Sequence, residues 1–98
     1  MSQLLTADEV TDRLGDLADW SRPEGNEPAI TATFKLGDFA EALAFVNRVG
    51  AAAEEMDHHP DIDIRWNKVT LVLSTHSAGG LTAADFDLAG RISQLKAT

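Results

Sequence analysis

Three histidines, His58, His59 and His76, are the residues of this chain whose type and spacing best suit chemistry. An imidazole titrates near pH ~6.5, so it both gives and takes protons at neutral pH, as general acid and base catalysis requires. Taken alone, His58 is better interpreted as a helix cap that offsets the helix dipole. Because all three histidines gather near one predicted hairpin, the sequence favours a shared site for proton transfer on a small organic substrate.

The predicted hairpin suggests how two of these histidines meet. Two alternating apolar runs, residues 62–64 and 69–73, have the period of paired strands. If their turn centres on Asn67, antiparallel pairing sets His58 across from His76. Directly paired residues have Cβ atoms about 4.5 to 5.5 Å apart, so both rings would address one ligand.

Acidic and aromatic residues near the histidines are the candidate supporting groups. Glu54 lies four residues before His58, where it would orient that imidazole if the last turn stays helical; a merely solvated acidic turn is an equal alternative. Asp85 follows Thr82 by three residues, which is the spacing of a capping box. Trp66 is interpreted as a core residue at the hairpin tip, with a lid over a flat ring as the alternative.

A zinc site is the competing interpretation of the three histidines, since three imidazoles and an open water position form a catalytic zinc centre. In extended chain, however, His58 and His59 point to opposite faces, so both bind one ion only if the backbone twists before Pro60. The chain also has no cysteine, which excludes disulfides, thiolate ligands and a thiol nucleophile. We therefore expect no metal.

The elements that must position these residues follow from caps, turns and hydrophobic periodicity. The turn residues expected between the first two strands are Pro23, Gly25, Asn26 and Pro28. The predicted elements, in chain order, are a helix capped by Thr6, a strand around Trp20, a strand over residues 30–34, a helix from Asp38 to near Asp57, the two hairpin strands and a helix capped by Thr82. The prediction is an α+β fold, in the order α-β-β-α-β-β-α, with a four-stranded antiparallel sheet and three helices packed on one face.

Length and composition limit the class of protein. The 98 residues suit a single domain spanning 1–98, and 44% hydrophobic with 24% charged residues is ordinary for a globular chain. A formal net charge of -8 repels phosphate backbones and anionic membranes, so no direct nucleic-acid partner is expected. No apolar run approaches the roughly 20 residues of a membrane span, and residues 1–10 lack a signal-peptide pattern, so a cytoplasmic location is expected.

Several of these residues together resemble the signature of a known enzyme family. The pattern is an acid four residues before a His-His-Pro run, an aromatic residue at the hairpin tip, a third histidine and an aspartate nine residues beyond it. The matching segments are 54–60 (EEMDHHP), Trp66, 74–76 (STH), 79–82 (GGLT) and Asp85. They resemble the pterin-4a-carbinolamine dehydratases, and similarity at Trp20, 34–39 and 88–89 extends it over nearly the whole chain. Asp57 departs from an asparagine common in that family, and residues 61–64 lack an aromatic often found after the proline.

The resemblance implies a hydro-lyase, 4a-hydroxytetrahydrobiopterin dehydratase, which converts the carbinolamine to quinonoid dihydrobiopterin and water in pterin recycling. It implies that His58 and His76 transfer protons, with the acid and base assignment open. His59 would fix the pterin, and Glu54 would orient a histidine. No metal or organic cofactor is implied, and a homodimer or homotetramer is the expected assembly.

The same resemblance extends the implied site to residues that bind the substrate. Thr75 and Ser77 would line the pocket, Asp85 would support it, and backbone groups up to Pro60 would meet the pterin edge. Trp66, as a lid, completes the candidate set. The alternative function is a non-catalytic binding or assembly partner built on the same scaffold.

Overall fold

Three antiparallel strands form the sheet in this computed structural model, which describes residues 3–25 and 27–97. They are β1 (Ile30–Lys35), β2 (Asp61–Arg65) and β3 (Lys68–Leu73), and β3 lies between the other two. The helices are α1 (Ala7–Leu14), α2 (Phe39–Met56) and α3 (Ala83–Ala97), with a 3-10 turn at His76–Ala78 before α3. The α+β class is confirmed, with three helices and an antiparallel sheet.

The prediction of four strands is wrong for the described residues. The strand expected around Trp20 is reduced to one isolated bridge, in which Ser21 and Thr31 exchange backbone hydrogen bonds of 3.0 and 2.8 Å. Proline has no backbone N–H for a ladder, and Pro23 and Pro28 occupy the segment that would have to continue the pairing. Asn26, one of the predicted turn residues, lies outside the described residues.

The two faces of the sheet have opposite characters. Alternate residues of β1 and β3 point to one face and are almost fully buried; they are Ile30, Ala32, Phe34, Val69, Leu71 and Leu73. This face packs in one core with α2, α3 and Val10 of α1. Trp20 belongs to that core, where its ring N–H donates to Ser93 Oγ at 3.0 Å. The other side, called here the open face, carries polar and small residues such as Thr33 and Thr70.

Side chains cap the first turns of α1 and α2. The predicted capping box of α1 is confirmed, because Glu9 N–H donates to Thr6 Oγ1 and Thr6 N–H donates to Glu9 Oε1. The hydrogen bond from the Thr6 backbone lowers the pKa of Glu9 below its ordinary value. The predicted start of α2 is also confirmed, since Asp38 Oδ1 accepts from Glu41 N–H at 2.8 Å.

Within 3–25 and 27–97, the helices are too short or too polar to cross a bilayer.

The hairpin register differs by one residue from the prediction. Arg65 faces Lys68, so the turn contains Trp66 and Asn67 and is not centred on Asn67. The buried Asn67 side chain donates to the Leu36 carbonyl at 3.0 Å, which ties this turn to the end of β1. Pairing of β2 begins only at Asp61, so the predicted rung between His58 and His76 does not form.

Candidate active site

The end of α2 determines where His58 lies. Asp57 takes the left-handed conformation, with a φ of 50°, and its N–H donates to the Glu54 carbonyl. His58 N–H then donates to the Ala53 carbonyl at 3.0 Å, which closes the helix end. Aspartate is one of the few residues other than glycine that enters this conformation readily. The cap therefore holds the His58 backbone against the last helical turn.

The ring of His58 is bonded to a buried carboxylate. Its Nε2 atom lies 2.6 Å from Asp85 Oδ1, and Asp85 is fully buried while the His58 side chain is 13% exposed. The second oxygen of Asp85 accepts from Thr75 Oγ1 at 2.8 Å and from the Thr82 backbone N–H at 2.9 Å. A buried carboxylate without partners would cost several kcal/mol, so these three contacts make its burial tolerable. The geometry of His58 is thus set by α3.

This arrangement corrects the predicted partner of His58. Glu54 bonds to His59, through Glu54 Oε2 and His59 Nε2, and not to His58. The physical reason is the left-handed Asp57, because the helix has ended before His58 and the i, i+4 relation with Glu54 no longer applies. Both members of the Glu54–His59 pair are largely exposed.

Asp85 does more than the predicted helix cap. Its carboxylate accepts the Thr82 N–H, as half of a capping box does, while it also holds His58 and Thr75. The Thr82 hydroxyl does not complete the box but pairs with the Thr75 hydroxyl at 2.8 Å. Sequence reasoning therefore missed the pairing of Asp85 with His58. The available signal was weak, because capping spacing alone explains an aspartate three residues into a helix.

The third histidine lies in a short turn after β3. Thr75 and Gly80 exchange backbone hydrogen bonds across this turn, and Gly79 closes it with a φ of 76°. His76 follows Thr75 directly. Because the Thr75 hydroxyl donates to Asp85, which also contacts His58, Asp85 connects the segments that carry the two histidines. His76 is exposed and lines a cavity of about 310 Å³ on the open face, whose lining includes neither His58 nor His59.

The other predicted site residues do not all lie near the histidines. Ser77 is exposed in the same 3-10 turn as His76, and Pro60 is half-buried directly after His59. Trp66 lies at the hairpin tip, at the far end of β2 from the histidines, and its interpretation as a core residue is wrong because it is 67% exposed. Its positive φ of 53° belongs to the tight turn that replaces the predicted centre at Asn67. The fold does not bring Trp66 to the histidines of its own chain.

The donor set of the site is suited to proton transfer. In residues 3–25 and 27–97, no group of three or more His, Asp or Glu side chains is placed to hold a metal ion. His58 and His59 instead face different carboxylates. A carboxylate accepts hydrogen bonds only, so the Nε2 atom of His58 carries the proton that Asp85 holds, and Nδ1 is left to exchange a proton with a ligand.

Comparisons with known proteins agree on one family. Residues 3–95 match the family described as pterin 4 alpha carbinolamine dehydratase. A relative from Roseiflexus castenholzii is 57% identical over 97% of this chain and 99% of its own length, and one from Nocardia farcinica is 51% identical over 96% of each chain. Both carry the provisional name pterin-4-alpha-carbinolamine dehydratase.

Two solved structures are also similar to this chain. The crystal structure of a transcriptional coactivator/pterin dehydratase from Brucella melitensis superposes with a TM-score of 0.91 at 34% identity, over 96% of this chain and 99% of that one. A pterin dehydratase-like protein described as a RuBisCO assembly factor in the alpha-carboxysome superposes with a TM-score of 0.67 at 27% identity, over 82% and 92% of the two chains.

Proposed function

The chain belongs to the pterin-4a-carbinolamine dehydratase family, and from that premise we propose that it dehydrates 4a-hydroxytetrahydrobiopterin to quinonoid dihydrobiopterin in pterin recycling. The observation that carries this proposal is the contact of 2.6 Å between His58 Nε2 and the buried Asp85. A carboxylate in this position selects one tautomer of the imidazole and stabilises the imidazolium that forms when the ring takes a proton. A carboxylate partner of this kind is expected for a histidine that acts as a general base.

The proposed reaction needs one base and one acid. The N5–H bond and the C4a–O bond of the carbinolamine break, the C4a=N5 double bond forms, and the hydroxyl leaves with one added proton as water. His58 takes the N5 proton at Nδ1, since Asp85 occupies Nε2. His76, whose ring makes no hydrogen bond with the described residues, donates a proton to the departing hydroxyl. No electrons are gained or lost overall, so the chemistry itself requires no redox cofactor.

The remaining predicted residues take supporting roles in this proposal. His59 fixes the pterin and is oriented by Glu54, its observed partner. Thr75 is a positioning residue that acts through Asp85, and Ser77 and the backbone around Pro60 border the substrate. Trp66 is not assigned a role at the histidines of its own chain in this proposal, because it lies at the far end of the hairpin.

The activity is tested by following the decrease in the absorbance of the carbinolamine after purified protein is added. We expect His58→Ala to lower kcat by about 10²- to 10⁴-fold, the usual contribution of a general acid or base. The matched control is Glu55→Gln, an exposed acid in the last turn of α2 whose partner is Arg91, at 3.3 Å. A wild-type rate equal to that of buffer would contradict the proposed activity.

The pH dependence of kcat tests the assignment of base and acid. A base must be deprotonated to act, so the rate falls on the acidic side as the base is protonated, and an acid produces the alkaline fall. We expect the residual activity of His58→Ala to lose the acidic limb and that of His76→Ala to lose the alkaline limb. The opposite pattern would exchange the two roles.

A non-catalytic assembly partner is the second candidate function. It is supported by the similarity to the protein described as a RuBisCO assembly factor, and by Phe39 and Leu43 of α2, which are 47% and 41% exposed. This function needs the outer surface of α2 and not the histidines. A candidate partner that binds wild-type and His58→Ala chains equally, while neither turns over carbinolamine, would favour it over catalysis.

We also propose that the chain forms a homodimer or homotetramer. Exposed apolar side chains on α2 and the free edge of β2, where Ile62 is 41% exposed, are surfaces that a second copy would cover. Light scattering of the purified chain measures the mass, and a monomer at micromolar concentration would contradict the proposal.

A further inference from the structure

A cavity on the open face of the sheet adjoins His76 and contains residues that the proposed chemistry does not use. Its volume is about 310 Å³, at the small end of the usual range for ligand pockets. Asp61, Val72 and Ser74 line it from the sheet, and the segment 27–29 borders it. Asp61 and Val72 are direct partners across β2 and β3, so their side chains share this face.

The carboxylate of Asp61 has no partner among the described residues, whereas the neighbouring Asp63 and Ser74 each have one. It makes no hydrogen bond or ion pair with any residue in 3–25 or 27–97. Asp63, two residues along on the same face, contacts Arg65 Nε at 3.3 Å, and the hydroxyl of Ser74 donates to the Pro28 carbonyl at 2.9 Å. Asp61 therefore offers two acceptor oxygens to whatever enters the cavity.

We propose that Asp61 is a specificity-determining residue, whose carboxylate accepts hydrogen bonds from the 2-amino group and N3–H of the substrate while His76 addresses the C4a hydroxyl. The inference rests on the proposed dehydratase function. Two parallel N–H donors on one edge of a ring match the two oxygens of a carboxylate, as an arginine fork does. The reacting carbon lies at the ring fusion, away from this donor edge, and Asp61 and His76 line the same cavity, so we expect one ligand to meet both residues.

Glu27 is the other carboxylate of the cavity and is the weaker candidate. It lies in the loop before β1, whereas Asp61 is held in a paired strand by its register with Val72. Side chains on strands are positioned more reproducibly than those on loops. The assignment to Asp61 predicts that a ring with an oxygen at position 2 is rejected, because a carbonyl oxygen would face the carboxylate with no hydrogen between them.

Binding of 7,8-dihydropterin and of a 2-oxo analogue, measured by calorimetry, tests this inference with the full chain. We expect Asp61→Asn to weaken binding of the 2-amino ligand by about tenfold or more, the usual cost of losing a hydrogen bond to a charged group. The preference over the 2-oxo analogue should shrink by a similar factor. The matched control is Asp63→Asn, which makes the same change on the same strand and face and should leave both affinities within about twofold. Glu27→Gln changes the other carboxylate of the cavity and should weaken binding less than Asp61→Asn does.

Kinetics separate this inference from the activity on which it rests. Because Asp61 does not touch the reacting atoms, its loss should raise KM and affect kcat much less. Wild-type turnover with unchanged KM and unchanged ligand preference in Asp61→Asn would overturn the role of Asp61 and leave the dehydratase intact. A larger effect for Glu27→Gln than for Asp61→Asn would also overturn it. A wild-type chain that neither binds dihydropterin nor turns over carbinolamine would overturn both proposals.

Discussion

Adjacent residues of this chain form two histidine–carboxylate pairs with opposite surroundings. His58 meets Asp85, and their side chains are 13% and 0% exposed; His59 meets Glu54, and theirs are 55% and 78% exposed. The buried pair joins the end of α2 to the start of α3, whereas the exposed pair is local to one helix end. An exposed ion pair is screened by water and is worth about 0–1 kcal/mol, while breaking a buried one leaves a charge without a partner.

Proximity along the sequence is therefore a poor guide to which carboxylate contacts which histidine. Glu54 is close to both histidines in the chain, yet the distant Asp85 holds His58. Among the described residues, the Asp85 carboxylate has further contacts, from Thr75 and Thr82, and the Glu54 carboxylate has none, so the histidine on Asp85 is the one held in one orientation before a ligand arrives. We expect the two pairs to respond very differently to substitution.

Replacement of Asp85 by asparagine should have the largest effect. The amide has one acceptor oxygen, so it cannot serve His58 and the two threonines together, and it carries no charge to stabilise an imidazolium. We expect kcat to fall by about 10²-fold or more and the free energy of unfolding to fall by about 1–3 kcal/mol. The assay and a urea titration measure the two quantities. Asp87→Asn, an exposed change two residues along α3, should alter neither quantity. A normal kcat for Asp85→Asn would contradict the expected difference between the buried and the exposed histidine–carboxylate pair.

Replacement of Thr75 by valine should have an intermediate effect. Valine keeps the shape of the side chain but removes the hydroxyl that contacts Asp85 and Thr82, while the Thr82 N–H still reaches the carboxylate. We expect a loss of about 1–2 kcal/mol in the free energy of unfolding. The fall in kcat should be smaller than that of Asp85→Asn. Thr33→Val, on the open face, is the control for losing a threonine hydroxyl; a larger fall in kcat for Thr75→Val than for Asp85→Asn would contradict this order.

Local signals in the sequence predicted most of the helices and the hairpin. Thr6 with Glu9 and Asp38 mark helix starts that the structure confirms, because a cap acts over three residues and is readable from spacing alone. The predicted strand around Trp20 failed because pairing depends on donors along a whole segment, and prolines interrupt that segment. The one-residue error in the hairpin arose because the turn has two residues, Trp66 and Asn67, and the hydrogen bond from Asn67 to Leu36 ties this turn to the end of β1.

Spacing and family resemblance indicate the histidines and Asp85 as candidate members of the site, but they do not indicate which carboxylate contacts which histidine. The partner of each histidine depends on the left-handed Asp57 and on the packing of α3 against α2, which no local pattern encodes. The sequence does not single out Asp61, because a strand aspartate on a solvated face is ordinary; the cavity beside His76 and the lack of a partner among the described residues distinguish it from Asp63.

Replacement of Glu54 by glutamine should have the smallest effect. It tests most directly whether the exposed His59–Glu54 pair matters less than the buried His58–Asp85 pair. The Glu54–His59 pair is exposed, so the loss of its charge should change the free energy of unfolding by less than about 1 kcal/mol. If Glu54 merely orients His59, kcat should fall by no more than about threefold, since glutamine still accepts a hydrogen bond. Where His59 is protonated, raising ionic strength should weaken the wild-type pair in the same direction, because exposed charges are screened. Glu55→Gln in the same turn corrects for the general change in charge. A fall in kcat for Glu54→Gln as large as that for Asp85→Asn would mean that exposure does not separate the two pairs, and that His59 is held for catalysis as firmly as His58.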